Sequence, residues 1–184
     1  MKQQSQIIFE RNSVEFVTVA AEYCALIERS EGQKRADFAD TLLKILPLLY
    51  IKASMLPECE VMGDDGLEAF VNEDDYEVIR LNLQEVFADR DDYLDVFVED
   101  MKYSDTPIRK SIAEDLADIY QVVKDFVCQF RSGLNETMHD ALAQCREHFV
   151  EYWGQTLVNT MRALHEVKYC HVDGEDDEQL AFND

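Results

Sequence analysis

Glycine and proline are scarce in this chain, at six and three of 184 residues. Both punctuate turns, so few turns are signalled, which argues against a many-stranded β fold and for long helices. No stretch has the eighteen or so uncharged apolar residues that a membrane span needs. The opening MKQQSQIIFERNSVEF has no apolar run of signal-peptide length. The expected setting is therefore cytoplasmic, with no membrane contact. The five cysteines, Cys24, Cys59, Cys128, Cys145 and Cys170, are odd in number and widely spaced, with no C-x-x-C. That pattern predicts reduced thiols rather than a disulfide framework or a zinc site. G-x-S-x-G, P-loop and G-x-G-x-x-G motifs are absent as well, so the sequence calls for no catalytic residue and no cofactor.

Basic residues are the other shortage. Seventeen Lys and Arg stand against 39 Asp and Glu, for a formal charge of −22. The imbalance is local. Acids and bases are equal at 7 and 7 over residues 1–57, but 17 acids face 3 bases over 58–105. Residues 106–172 hold 9 and 7, and residues 173–184 hold 6 and none. Such a surface repels phosphate backbones and anionic membranes, so nucleic acid binding is not expected. It suits a basic protein partner, although solubility alone is the ordinary reason for surface charge. Mimicry of nucleic acid by the acidic surface is a weaker reading.

With 47% hydrophobic residues, the chain has the material for a sizeable core. Apolar positions at helical spacing mark a first helix from about Ser13 to Arg29, with Ser13 as N-cap. A second runs from Arg35 to Leu56, with Pro47 inside it and a kink expected near Leu43–Pro47. Residues 58–73 read as a loop, and a third helix begins near Asp74 with Asn72 or Asp74 as cap. A short helix is predicted over Tyr93–Met101. The next long helix is placed from Thr106, with Pro107 in its first turn, to Gly133, which would close it in the left-handed conformation. The last is predicted as one continuous helix, capped by Asn135 and reaching about Lys168. The fold expectation is all-α: an antiparallel helical bundle of five to six helices over residues 1–172, followed by an acidic, disordered tail at 173–184. A leftover apolar flank would allow a homodimer.

Local chemistry is thin. Glu136 and His139 form one Glu-x-x-His, but a di-iron bundle needs two such motifs and two further glutamates. His139, His148, His165 and His171 do not share a helix face and read as surface or flank residues. The acidic runs fail the EF-hand spacing. Polar residues embedded in apolar helix are more informative: Tyr50 and Lys52, Asp115 and Tyr120, Asn159 and Arg162, with Glu28 at the end of the first stripe. Buried charge must be paired, so these predict either a structural ion network or a small pocket between helices. Tyr50, Lys52, Tyr120, Trp153 and Arg162 would line such a pocket. Trp153 otherwise reads as a core anchor, and Gly154 as a notch where a neighbouring helix approaches.

Four segments carry a resemblance: FVTVAAEYCALIE (16–28), LLKILPLLYIKASMLP (42–57), SIAEDLADIYQVVKDFV (111–127) and EYWGQTLVNTMRALH (151–165). They resemble a bacterial family, well represented in Bacteroides-type organisms, catalogued as domain of unknown function 5063. The resemblance implies a helical fold and a bacterial cytoplasmic setting, and carries over no catalytic residue. The sequence thus points to a non-catalytic interaction or regulatory module, with a small-molecule sensor or enzyme as the alternative.

Overall fold

The computed structural model describes residues 7–63, 66–95 and 108–170. Its elements are α1 (Arg11–Ile27), α2 (Arg35–Ser54), α3 (Glu73–Phe87), a 3₁₀ turn (Ala88–Arg90), β1 (Asp92–Asp95), β2 (Ile108–Ser111), α4 (Ile112–Phe130), α5 (Asn135–His148), a π-turn (Phe149–Trp153) and α6 (Gly154–Tyr169). The all-α expectation holds, with a two-stranded ribbon as its one β feature among these residues. The predicted tail at 173–184 lies outside the described residues.

α4 is the hub. Ile112, Leu116, Ile119, Val123 and Phe126 are buried as predicted, but so are Ala113, Ala117, Tyr120, Val127 and Gln129. A helix buried on most of its circumference must be surrounded, and α4 packs against α1, α3, α5 and α6. α2 lies on α1 and α6. α1 and α2 run antiparallel, since Lys52 Nζ near the end of α2 reaches Glu15 near the start of α1. α2 and α6 are antiparallel too: Lys168 meets Asp40 at one end, and the Phe149 ring meets Tyr50 at the other, 5.2 Å between centroids.

Several boundaries differ from the sequence expectation. α1 begins at Arg11, so Ser13 is inside it, buried, with Oγ donating to the Ile7 carbonyl. The predicted helix at Tyr93–Met101 is instead a strand over Asp92–Asp95, antiparallel to Ile108–Ser111; residues 96–101 lie outside the described residues. The burial of Tyr93 and Asp95 against exposed Asp92 and Leu94 is a period of two, which suits a strand. α4 starts at Ile112, not at Thr106. Ser111 caps it by accepting from the Glu114 N–H, and Asp91 adds a second acceptor through Ala113 N–H. The strand pairing holds residues 108–111 extended, so the helix waits for the next capping residue. Asn135 is the first residue of α5, with Leu134 in the cap position. α2 is helical throughout and includes Pro47. Asn72 does cap α3, and Gly133 does close α4 with φ +73.

The last helix is not continuous. The π-turn over Phe149–Trp153 separates α5 from α6. Buried residues fall at Cys145, Phe149, Trp153 and Leu157, three successive steps of four. On an uninterrupted α-helix each step of four advances roughly 40°, so the seam would leave the core. One i→i+5 turn absorbs the extra residue and resets it, with Gly154 N–H donating to the Phe149 carbonyl.

The described residues between α2 and α3 have little regular structure and are pinned from outside. Asp140 accepts from the Met62 and Gly63 N–H groups, and Asp125 from those of Phe70 and Val71. Gln129 donates to the Glu68 carbonyl, and Arg146 to that of Leu56. These satisfy backbone groups that no ladder would otherwise serve.

Candidate functional site

The embedded polar residues do not meet in one pocket. Lys52 pairs with Glu15, which also takes Arg11. Tyr120 donates to Glu28, which Lys124 also contacts. Asn159 accepts from Gln155 on the exposed side of α6. Trp153 is fully buried, its indole N–H donating to the Cys145 carbonyl at 3.1 Å. Gly154 is no notch for a neighbouring helix. A Cβ there would lie 2.6 Å from the Phe149 carbonyl oxygen and 2.9 Å from that residue's own ring. The glycine serves the π-turn.

Asp115 anchors a different cluster. Buried in α4, it accepts from the Tyr93 hydroxyl and lies 3.3 Å from Thr160 Oγ. Burial pushes its carboxyl up to about 6, against the pull of Tyr93, Lys110 and Thr160. Arg162 covers the Tyr93 ring at 5.9 Å and donates to the Leu94 carbonyl, closing the ribbon onto α6. One turn along α4, Asp118 accepts from Tyr76 of α3 at 2.7 Å and from Tyr152 of the π-turn. Burial first, and then the carboxylates themselves, raise all three phenols. They are therefore neutral donors that tie α3, β1 and the π-turn to α4. Sequence reasoning missed Asp118, Tyr76, Tyr93 and Tyr152 as partners. Only their placement on separate elements makes them meet.

His139 is buried rather than on a flank, with Nδ1 3.2 Å from Asp140 Oδ1. Burial alone would raise Asp140, but the Met62 and Gly63 N–H groups and His139 hold it below the ordinary carboxylate range. Burial pushes Cys24 up to about 12 and Cys145 higher still, so neither is a nucleophile at neutral pH. Among the described residues no group of three or more His, Cys, Asp or Glu could hold a metal ion.

Two exposed surfaces among the described residues combine large apolar side chains with nearby charge. The first is the outer face of α3. Asp74, Val78, Leu81 and Glu85 follow helical spacing on one exposed stripe, with Val78 and Leu81 56% and 52% exposed. Glu73, Asp75 and Glu77 flank it, and Arg80, the one cation of α3, is occupied by Glu77 and Gln84. The second is a groove of about 550 Å³ between α2 and α6, lined by Leu43, Pro47, Tyr50, Ile51, Val158, Met161, Arg162 and His165. It holds Tyr50 and Arg162 of the predicted set. At its Leu43–His165 end, Lys44 and Lys168 both bind Asp40, which holds that carboxyl below its ordinary range.

The domain-of-unknown-function family DUF5063 matches over residues 7–170. The chain belongs to the DUF5063 family. A crystal structure of protein BF1032 from Bacteroides fragilis, a Northeast Structural Genomics Consortium target, is 56% identical and superposes with a TM-score of 0.82, covering 92% of this chain and 99% of that one. No curated protein matches. Membership agrees with the resemblance carried by the helical segments, and the DUF5063 frame includes both open surfaces and the tyrosine–carboxylate cluster. Among the described residues no helix is long and apolar enough to cross a membrane.

Proposed function

We propose that this DUF5063 chain is a non-catalytic interaction module that binds a basic protein partner through the outer face of α3. The observation that carries the reading is the stripe Asp74–Val78–Leu81–Glu85. Two large apolar side chains stand in water there, ringed by carboxylates. An acidic helix face needs no exposed Val or Leu for solubility. An apolar centre with a charged rim is the general anatomy of an interface, and the uncompensated acids would steer a basic partner toward it.

The test uses fluorescence anisotropy with a labelled amphipathic helical peptide of leucine and lysine, at stepped salt. Binding should weaken as salt rises and fall at least tenfold in a Val78→Ser, Leu81→Ser double variant. Both positions are exposed, so folding should survive, and circular dichroism checks it. Equal affinity in the double variant, or binding indifferent to salt, would refute the assignment of this face.

A further inference from the structure

A thiol, a thioether and an imidazole come together beside α5. Cys59, Met62 and His139 all line one cavity of about 770 Å³, with Arg146 and Glu58 next to them. His139 is only 4% exposed, and its Nδ1 lies 3.2 Å from Asp140 Oδ1. The same oxygen accepts the Met62 N–H at 2.9 Å, and Oδ2 accepts the Gly63 N–H at 2.9 Å. One carboxylate therefore ties the Met62 backbone and the His139 ring to each other. Arg146 anchors the chain on the other side by donating to the Leu56 carbonyl at 3.2 Å. Cys59 stands between these two anchors in sequence.

The hydrogen bonds also set the histidine's tautomer. An Asp140 oxygen that accepts a backbone N–H accepts from Nδ1 as well, so Nδ1 carries the proton. Nε2 keeps its lone pair, and among the described residues it has no hydrogen-bond partner. Polar groups this deeply buried ordinarily have one. An imidazole whose other N–H is held by a carboxylate is the usual arrangement of a metal-ligating histidine. The Cys59 thiol is free, half-buried and likewise without a hydrogen bond among the described residues. Donor chemistry then decides the ion. Among the described residues no three His, Cys, Asp or Glu side chains meet, so tetrahedral zinc lacks its ligands. Thiolate and thioether donors select Cu(I), and imidazole also suits copper. Cu(I) is satisfied by few ligands and needs no carboxylate among them.

We propose that Cys59 Sγ, Met62 Sδ and His139 Nε2 bind a single Cu(I) ion in this cavity. Asp140 is the positioning residue behind the imidazole. The ion replaces the thiol proton, which leaves to water, so the copper–thiolate unit is neutral beside the Arg146–Glu58 pair. Copper enters and stays as Cu(I), and no electron is transferred. The site shares no residue with the α3 face, so either can fail without the other.

The experiment titrates the full chain with Cu(I), supplied anaerobically as its acetonitrile complex, against the chelator bicinchoninate. Exposed Cys170 is a rival ligand, so Cys170→Ser serves as the parent. In that background Cys59→Ser should weaken Cu(I) binding at least a hundredfold, and Met62→Leu roughly tenfold. Met62 is 39% exposed and Cys59 half-buried, so both variants should fold, with circular dichroism as the check. Asp140→Asn should cost about 10–100-fold, the range for a group that orients a metal ligand. X-ray absorption at the copper edge should show two sulfur neighbours and one nitrogen. Met62→Leu should remove one sulfur, and Asp140→Asn should weaken the nitrogen contribution. Absence of binding, a Cys59→Ser variant that binds like its parent, or a sulfur shell without nitrogen would overturn the site. Loss of the ion in Cys128→Ser but not in Cys59→Ser would give it to that thiol and refute the proposal. Zn²⁺ bound as tightly as Cu(I) would overturn the assignment of the ion.

Discussion

Replacing Gly154 by alanine pits two known effects against each other. Alanine is favoured over glycine inside a helix by roughly 1 kcal/mol, so the substitution would ordinarily stabilise. Here the backbone is ordinary right-handed helix, φ −64 and ψ −43, and nothing in the dihedrals demands glycine. The obstacle is space. The new methyl would stand 2.6 Å from the Phe149 carbonyl oxygen, with ring atoms of Phe149 at 2.9 and 3.0 Å. Phe149 packs edge-on to Trp153 at 4.8 Å and to Tyr50 at 5.2 Å, so its ring has no open side to retreat into. The carbonyl is backbone and accepts the Gly154 N–H, so moving it disturbs the π-turn.

Overpacking of this kind costs about 1–3 kcal/mol. The alternative relief, collapse of the π-turn into plain α-helix, would rotate α5 against α6 by roughly 100° and expose Leu142 and Cys145 or unseat Leu157. That cost is larger, so relief by this route does not rescue the variant. Set against the propensity gain, the expected net loss is about 1–2 kcal/mol, or roughly 2–8 °C in Tm for a chain of this size. Urea unfolding followed by circular dichroism at 25 °C measures the first figure, and a thermal scan the second. Stability equal to or above the parent's would show that the close approach is not maintained and that the π-turn does not depend on this glycine.

Other predictions concern the clusters on α4. Asp115 has a folded-state carboxyl raised to about 6 against an ordinary 3.8, so it retains a proton that the unfolded chain releases. Its contribution is therefore fully present below about pH 4 and lost as pH rises through about 6. Asp115→Asn should gain on the parent across that window, by at most about 3 kcal/mol from linkage; a pH-independent difference between the two in urea titrations would contradict it. Tyr76→Phe leaves Asp118 with one phenol donor and should cost about 1–2 kcal/mol by the same assay, with no loss showing that the hydrogen bond adds nothing over water. In the native protein a thiol reagent at pH 8 should label exposed Cys170 fast and buried Cys24 and Cys145 only at the rate of unfolding; equal rates would mean the core thiols are accessible.

Helix existence was legible because each apolar stripe is long and repeats at a helical period. The predicted α4 seam from Ile112 to Phe126 is buried as read. What defeated the reading was context that lies far away in sequence. Thr106 and Pro107 look like a helix start, but β1 pairs with 108–111 and delays the helix until Ser111 can cap it. His139 is polar and beside Asp140, which suggests surface. The loop at Met62 and Gly63 crosses 77 or more residues of sequence to hydrogen-bond the adjacent Asp140 carboxylate. The π-turn was the exception, since its signal is local: the 4-4-4 spacing of Cys145, Phe149, Trp153 and Leu157 is inconsistent with an uninterrupted helix.

The α3 face joins two kinds of attraction that salt separates. Its carboxylates Glu73, Asp74, Asp75, Glu77 and Glu85 are exposed and met by one cation of the helix, Arg80, which Glu77 and Gln84 already engage. A partner recruited there gains from long-range attraction, which falls with ionic strength over a Debye length of about 10 Å at 0.1 M salt. Val78 and Leu81 contribute by leaving water, which added salt does not weaken. Raising the salt should therefore release the basic peptide, while the Val78→Ser, Leu81→Ser variant loses affinity at every salt and keeps the parent's salt slope, because it removes apolar contact and no charge. A slope that vanishes together with the affinity would mean that the carboxylates do not act on the peptide independently of the apolar pair.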